Sequence, residues 1–265
     1  MSTFTERQFR EREYYQQYAE RFDVDQQIDF SPVISESRRP WNSYWAIYHL
    51  AEDFFNQNNL MLDFGSGPGE NALRFAKLGF KVEGFDICES NVRLSNRLFQ
   101  KYDLADQGTF QVALAESLPY PNASFHFIAG IDILHHVDII KAMNECNRVL
   151  KRGGMAVFRE PLEVPILDTI RNTWLFKLIA PNQKSLDLHI TEDERKLTKQ
   201  DLKLIRKIFP RMIIRRYFLF ARFDKFFRNG SDPQPSFLEK LDSFLMKMFP
   251  VLKNLGGVVI LILKK

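Results

Sequence analysis

Two carboxylates and a glycine-rich loop are the residues of this chain best suited to hold a small ligand. Asp63 ends an apolar run and is followed by glycine at every second position, namely Gly65, Gly67 and Gly69. Glycines let backbone N–H groups approach a ligand because no Cβ stands in the way. Asp86 ends the next apolar run, where nucleotide-binding folds place an acid that accepts hydrogen bonds from ribose hydroxyls. The pattern therefore predicts a site for an adenosine-containing ligand.

The order of these residues argues against a phosphate. A dinucleotide site favours G-x-G-x-x-G with the pyrophosphate at a helix N-terminus. Here the third glycine comes one residue early, and Glu70 stands where the last glycine would be. Asp63 and Glu70 would repel a phosphate, so a ligand with positive charge fits better, and S-adenosylmethionine carries an ammonium and a sulfonium group. The structural alternative is a plain tight turn, because glycine loops alone are weak signals.

The elements that must position these residues alternate regularly. Short apolar runs predict strands and the segments between them have helical spacing, which together predict βαβ units and a parallel sheet. The loop would then lie where open α/β sheets bind ligands. The predicted strands are 60–64, 81–85, 109–114, 125–131 and 155–159, and the predicted helices are 70–78, 90–102 and 139–149.

The segments on either side of this core are less regular. Residues 5–22 and 41–55 predict two helices of an N-terminal cap, which either covers apolar surface or closes its aromatic side chains over the ligand. After Pro161 we expect a helix in 162–181, a polar segment 185–199, a helix 199–208 capped by Thr198, and strands in 211–220 and 256–263. We divide one integrated domain into a cap (1–57), a cofactor-binding core (58–161), an acceptor-pocket insert (162–210) and C-terminal strands with an amphipathic helix (211–265).

Composition limits the class of protein. The 265 residues include 25 phenylalanines, and the net charge is only +4. The first residues are polar, and no apolar run reaches the roughly 18 residues that a spanning helix needs. Cys88 and Cys146 lack metal-ligand spacing and indicate reduced thiols in a cytoplasmic protein without a metal site. Positive charge is concentrated in residues 195–228.

Four ordered motifs between residues 58 and 161 resemble the class I S-adenosylmethionine-dependent methyltransferases, in the branch that acts on small molecules. The motifs are LDFGSGPG, GFDICESN, AESLPYPNASFHFIAGIDILHHV and ECNRVLKRGGMAVFREP. The resemblance implies an α/β, doubly wound, Rossmann-like fold. We expect a mostly parallel seven-stranded sheet with a helical N-terminal cap and an insert after the fifth strand. It also implies methyl transfer from S-adenosylmethionine, with S-adenosylhomocysteine as the product.

The resemblance assigns roles to particular residues. The glycine loop would surround the methionine part of the cofactor, Asp86 would hold the ribose, and Ile131 would border the sulfonium. One departure is Leu114, where the family often has an aspartate that reaches the adenine amino group. A second is His126 in place of the family's aspartate, which we interpret as structural. The implied cofactor-binding residues are Asp63, Gly65, Ser66, Gly67, Gly69, Asp86, Ile87, Ala115, Glu116 and Ile131.

Transfer of an activated methyl group mainly requires positioning in a dry pocket, and a general base is needed only if the acceptor must lose a proton. The candidate catalytic residues are His135, His189 and Glu160. For the acceptor pocket we name Tyr14, Tyr18 and His136. We expect a small apolar acceptor methylated on oxygen, with carbon and nitrogen left open.

Three alternatives remain at this stage. The basic 195–228 stretch could serve an RNA or protein methyltransferase, although no Asn-Pro-Pro-Tyr motif follows the fourth strand and nucleic acid is not favoured. A non-catalytic S-adenosylmethionine-binding or scaffold protein would keep the same loop. Residues 237–252 have helical apolar spacing with interspersed lysines, which predicts either a helix packed on the core or one that contacts a membrane peripherally.

Overall fold

A seven-stranded sheet organises the chain, in a computed structural model that describes residues 4–55, 59–165, 195–226, 228 and 232–265. The strand order within these residues is β3-β2-β1-β4-β5-β7-β6. The strands are β1 (Leu60–Phe64), β2 (Lys81–Asp86), β3 (Gly108–Val112), β4 (Phe125–Ile131), β5 (Leu150–Pro161), β6 (Arg211–Tyr217) and β7 (Val258–Lys264).

Helices pack on both faces of this sheet. Side chains cap several of them at the N-terminus, and Thr5, Thr198 and Ser236 each form a complete capping box. The described helices are α1 (Glu6–Glu20), α2 (Ser31–Ile34), α3 (Ser43–Ala51), α4 (Glu70–Lys77), α5 (Glu89–Lys101), α6 (Ile139–Val149), α7 (Lys199–Ile208) and α8 (Phe237–Met248).

The topology confirms the predicted doubly wound, mostly parallel sheet. Strands β1 to β5 pair in parallel, and β7 runs antiparallel between β5 and β6. The chain moves outward from β1 through β2 to β3 and then returns to place β4 on the other side of β1. The strand order therefore reverses between β1 and β4, and a crevice opens at their carboxyl ends.

Apolar side chains fill both faces of the sheet, because its central strands are covered on both sides. One core joins α6 and α7 to the sheet through residues such as Met143 and Ile205. The other joins α3, α4 and α5 through Tyr48, Phe75 and Leu98. None of the described helices is long and apolar enough to cross a membrane.

Two predicted strands have different ends in the structure. The fifth begins at Leu150 and not at residue 155, because Leu150 pairs with Phe125 before a register shift, and Gly153 turns with a φ of 77°. The third ends at Val112, and the chain then turns at Leu114, whose carbonyl accepts a hydrogen bond from the Ser117 amide at 3.0 Å. The helix predicted in 162–181 falls almost entirely outside the described residues, and the four-part division of the domain stays a prediction.

Candidate active site

The glycine loop lies between β1 and α4, at the crevice. Gly65, Gly67 and Gly69 all have φ between 51° and 92°, a region that favours glycine. A Cβ on Gly65 would meet the Ile133 side chain at 2.7 Å, and a Cβ on Gly69 would meet Ser95 at 2.7 Å. At Gly67 a Cβ would meet nothing within 4 Å. Two of the glycines are therefore required by packing as well as conformation, and only Gly67 faces open space.

Asp86 ties this loop to the next strand. Its Oδ2 accepts a hydrogen bond from the Gly67 amide at 2.9 Å, and its Oδ1 accepts from the Cys88 amide at 2.8 Å and from Asn91 Nδ2 at 3.1 Å. Burial raises the pKa of the carboxyl, and the three donors oppose that rise. The oxygen facing Gly67 keeps capacity for a further donor, as a ligand hydroxyl would supply.

Asp63 lies behind the loop and not in the wall of the crevice. The Ala72 amide, in the first turn of α4, lies near its carboxylate and opposes the rise in its pKa. Burial and the nearby Asp86 raise the Asp63 pKa to about 7. Its Oδ2 is buried without a hydrogen-bond partner.

A cavity of about 550 Å³ opens beside the loop, within the usual range for a small-molecule site. It is bounded by the loop, by the ends of β2, β4 and β5, and by helix α1. Its wall includes eight of the predicted cofactor residues and all three predicted acceptor residues, together with Leu114 and His135. The relevant residues are Gly65, Ser66, Gly67, Asp86, Ile87, Leu114, Ala115, Glu116, Ile131, Tyr14, Tyr18, His135 and His136.

Helix α1 closes one side of the cavity and is held there by hydrogen bonds to the core. Arg7 donates to the His135 carbonyl at 2.8 Å, and Gln8 Nε2 donates to Glu116 Oε2 at 3.3 Å. Gln16 accepts from the Ser90 hydroxyl at the start of α5, at 2.9 Å. With Tyr14 and Tyr18 in the wall, the aromatic side chains of the cap face the cavity.

The turn Leu134–His136 after β4 brings both histidines to this cavity. Glu160 on β5 organises it: Oε1 accepts from the amides of Ile133 and Leu134 at 2.9 and 2.7 Å, and Oε2 lies 2.6 Å from His135 Nδ1. Glu160 itself is completely buried and does not line the cavity. A carboxylate at that distance favours a proton on His135 Nδ1, and in the neutral ring the lone pair is then on Nε2.

His136 serves the cap helix. Its Nδ1 lies 3.1 Å from Glu11 Oε1 and its Nε2 lies 3.2 Å from the Tyr15 hydroxyl, so both ring nitrogens contact residues of α1. The Tyr15 ring also meets the His136 ring edge to face, with centroids 5.7 Å apart. The ring of His135 therefore contacts β5, and the ring of His136 contacts the cap helix α1.

The charge of the wall favours a cation. It contains four carboxylates, on Glu11, Asp86, Glu116 and Asp132, against one guanidinium, on Arg159. Arg159 is paired with Asp132, which has a left-handed φ of 54° at the end of β4. Among the described residues of the basic stretch 195–228, none lies in this wall.

Most, but not all, of the site residues predicted from the sequence lie in the cavity wall. Asp63, Gly69 and Glu160 lie outside the wall, and His189 lies outside the described residues. Tyr15, Asp132 and Arg159 were missed. Arg159 could have been found from the sequence. Successive side chains along β5 point to opposite faces of the sheet, so Arg159 lies on the face opposite Glu160.

Comparison with known proteins shows what the central part of the chain is similar to. Residues 62–158 match the family described as "Methyltransferase domain". Residues 62–158 therefore match a methyltransferase domain, and the sheet has the Rossmann-like class I methyltransferase fold. The matched residues begin at the strand before the glycine loop and end in β5, so they contain the loop, Asp86 and the histidine turn.

Relatives of the methyltransferase domain differ in what their names say they act on. The chain is 37% identical over 107 residues to 27-O-demethylrifamycin SV methyltransferase of Amycolatopsis mediterranei (strain S699), covering 40% of this chain and 39% of that protein. It is 30% identical over 125 residues to demethylmenaquinone methyltransferase of Chlorobaculum parvum (strain DSM 263 / NCIMB 8327), covering 46% and 49%. The chain therefore spans less than half the length of these curated relatives.

A solved structure of another protein has a similar fold. Geranyl diphosphate C-methyltransferase of Streptomyces coelicolor A3(2), in complex with Mg²⁺, geranyl diphosphate and S-adenosyl-L-homocysteine, superposes with a TM-score of 0.57 at 14% identity. The match covers 100% of this chain and 99% of that one. At this identity the likeness extends to the fold alone.

The cofactor predicted from the sequence, S-adenosylmethionine, is the cofactor of this domain family. The residues of the cavity fit it: Gly67 leaves open space, Asp86 can accept from a hydroxyl, and the wall has an excess of carboxylates for a ligand with two cationic groups. Leu114 and Ala115 provide apolar surface but no side-chain acceptor for an adenine amino group.

Proposed function

We propose that the protein transfers a methyl group from S-adenosylmethionine to a small apolar acceptor. The observation that carries the proposal is the acid-lined cavity at the reversal of strand order, closed by Tyr14, Tyr15 and Tyr18 of α1. Aromatic rings favour an apolar acceptor with one polar group. The relatives' names, which refer to a demethylrifamycin and a demethylmenaquinone, support the same class of acceptor.

Oxygen is the methylated atom that this proposal favours, with His135 as the general base. When bound, S-adenosylmethionine supplies an electrophilic methyl group and leaves as the neutral thioether S-adenosylhomocysteine. His135 Nε2 takes the hydroxyl proton while the new C–O bond forms. Glu160 acts as a positioning residue, because its bonds to Ile133, Leu134 and His135 orient the ring. Tyr14, Tyr18 and His136 bound the acceptor side.

The test is incorporation of label from methyl-labelled S-adenosylmethionine into a panel of apolar phenols, quinols and enols. We expect His135→Asn to lower kcat about 100-fold, in the range typical of general bases, while the cofactor Kd measured by calorimetry is unchanged. Glu160→Gln should lower kcat as well, because an amide has only one acceptor oxygen and cannot serve both the Ile133 and Leu134 amides and His135 Nδ1. His49→Asn changes an exposed histidine on α3 and is the control.

Several results would count against parts of the proposal. Failure to bind either S-adenosylmethionine or S-adenosylhomocysteine would contradict it entirely. Normal turnover in His135→Asn would return that histidine to a structural role and favour a carbon acceptor that needs no base there. His189, which lies outside the described residues, stays a second candidate base, to be tested as His189→Asn in the same assay.

Two other functions are distinguished by the same experiment. An RNA or protein methyltransferase that uses residues 195–228 would place label in macromolecules with steep salt dependence, and the position of the described part of this stretch outside the cavity wall counts against it. A non-catalytic cofactor-binding protein would bind the cofactor and label nothing in any fraction.

We also propose that residues 237–252 contact a membrane peripherally, which would bring an apolar acceptor within reach of a cytoplasmic enzyme. The arrangement of α8 supports this contact, since its apolar residues Phe237, Phe244 and Met248 are exposed.

A further inference from the structure

Helix α8 buries charged side chains and exposes large apolar ones, the reverse of what is usual for a helix on a protein surface. Its buried residues are two acids, Glu239 and Asp242, with Met246. Its exposed residues include Phe237, at 76% of full exposure, and Phe244, at 61%. The exposed apolar surface continues past the helix end. We call Phe237, Phe244, Met248, Phe249 and Val251 the apolar face.

The orientation of the helix is fixed by its acids. Glu239 Oε1 accepts from Arg38 Nη2 at 2.6 Å and from Asn42 Nδ2 at 2.7 Å, and Arg38 and Glu239 are both buried. Asp242 accepts hydrogen bonds from three successive backbone amides, those of residues 219, 220 and 221, at 2.7 to 2.9 Å. Rotation of the helix to bury its phenylalanines would leave these charges unpaired, at a large cost. The apolar face therefore stays outward in the part of the chain that the structure describes.

A basic cavity lies beside the same helix. It has a volume of about 610 Å³ and lies between α8, β6 and the turn Pro250–Leu255. Its cations are Arg215, Arg216, Lys247 and Lys253, and its polar residues include Ser243 and Asn254. The two acids in its wall are Glu239 and Asp242, which already bind Arg38 and the three amides. The cavity therefore has an excess of positive charge.

We propose that α8 and the turn after it dock the protein on a bilayer that contains anionic phospholipid. The apolar face would enter the boundary between headgroups and acyl chains, and the basic cavity would hold lipid phosphates beside it. Aromatic and aliphatic side chains flanked by lysines are the combination that binds such surfaces. Charge complementarity selects this occupant, because Arg215, Arg216, Lys247 and Lys253 stand next to the apolar face. The inference rests on the membrane contact proposed above, and its test does not depend on methyl transfer.

The experiment is co-sedimentation of the full chain with vesicles of phosphatidylcholine alone and of phosphatidylcholine with 30% phosphatidylglycerol, at about 0.1 M salt where surface charge still acts over about 10 Å. We expect binding to the anionic vesicles only, with affinity that falls as salt rises. Phe237→Ser with Phe244→Ser should weaken binding more than tenfold. Lys247→Glu with Lys253→Glu should weaken it at least twentyfold, since each basic residue near the surface contributes about fivefold. It should also reduce the salt dependence, because only Arg215 and Arg216 then remain as cations in the described wall of the cavity.

Matched controls lie at other places on the sheet. Val112→Ser changes an exposed apolar residue on β3, at the sheet edge opposite β6, and Lys81→Glu reverses an exposed charge at the start of β2. Both should bind as the unchanged protein does. All the substituted side chains are exposed or line the cavity, so folding should be retained, and methyl transfer to a water-dispersed acceptor should be unaffected.

Three results would overturn the inference. The first is equal binding to both kinds of vesicle, or to neither. The second is unchanged vesicle binding in both double variants. The third is a concentration-dependent dimer, seen by light scattering, that the phenylalanine double variant abolishes while vesicles bind nothing, because a second copy of the chain would then cover the apolar face. If methyl transfer is absent but anionic vesicles bind as expected, only the enzymatic proposal fails.

Discussion

Helices α4 and α8 have similar amphipathic spacing but opposite orientation. Helix α4 buries Leu73 and Phe75 against the sheet and exposes Lys77. Helix α8 buries Glu239 and Asp242 and exposes Phe237 and Phe244. A period of 3.6 residues separates two faces in both cases. It does not say which face turns inward, because that depends on the partners that the rest of the fold supplies.

Those partners differ in a way that follows from position in the sheet. Helix α4 lies over the central strands. Their continuous apolar surface favours packing against the apolar side chains of the helix. Helix α8 lies near β6 at the sheet edge, where Arg38, Asn42 and a row of backbone amides need acceptors. Polar groups that are buried must be hydrogen-bonded, and here they attract the acidic face of the helix.

Removing the acid that orients α8 would test this comparison most strongly. Glu239→Ala should lower the free energy of unfolding by about 3 kcal/mol, because the buried Arg38 loses its partner. It also removes the carboxylate of the capping box with Ser236. Denaturant titration measures the effect. Glu89→Ala, which breaks the exposed pair with Arg93, is the control and should change stability little. A small effect at Glu239 would mean that the apolar residues and not the acids orient α8.

On the cofactor side the corresponding change is Asp86→Ala. We expect it to weaken S-adenosylmethionine binding about thirtyfold, equivalent to about 2 kcal/mol for lost bonds to a charged acceptor. The loop amide of Gly67 also loses its acceptor. Calorimetry measures the Kd, and Asp106→Ala, at an exposed position, serves as control. If affinity is unchanged in folded protein, Asp86 holds the loop and not the ribose.

These two regions also differ in how far the sequence predicted them. The alternation of strands and helices and the ordered motifs predicted the sheet, and Asp86, Ile131 and His135 lie around one cavity as expected. Local patterns suffice there because Asp86, Ile131 and His135 each lie at the end of a predicted strand or shortly after it. The role of Glu160 could not be predicted in this way, since it depends on hydrogen bonds to the turn after β4, 26 residues earlier in the chain. The orientation of α8 depends likewise on Arg38, about 200 residues away.

The smallest expected effect concerns Asp63, whose pKa of about 7 makes cofactor binding depend on pH. The folded protein holds this proton more tightly than the unfolded chain, in which the pKa is near 3.8. The group therefore lowers stability as pH rises from about 4 to about 7. A cationic ligand prefers the ionised carboxylate, so affinity should rise about fivefold between pH 6 and pH 8 by attraction across the loop.

Asp63→Asn separates these effects, because the amide keeps an acceptor for the Ala72 amide but carries no charge. The rise in affinity should disappear, and the unliganded variant should be more stable than the unchanged protein above pH 7, where Asp63 and Asp86 otherwise repel. Calorimetry at pH 6, 7 and 8 and thermal unfolding at the same values measure both. If the variant retains the full pH dependence, another group titrates. The charge of Asp63 would then have no effect on the cofactor, and the negative charge that attracts the cofactor would come from the carboxylates in the cavity wall.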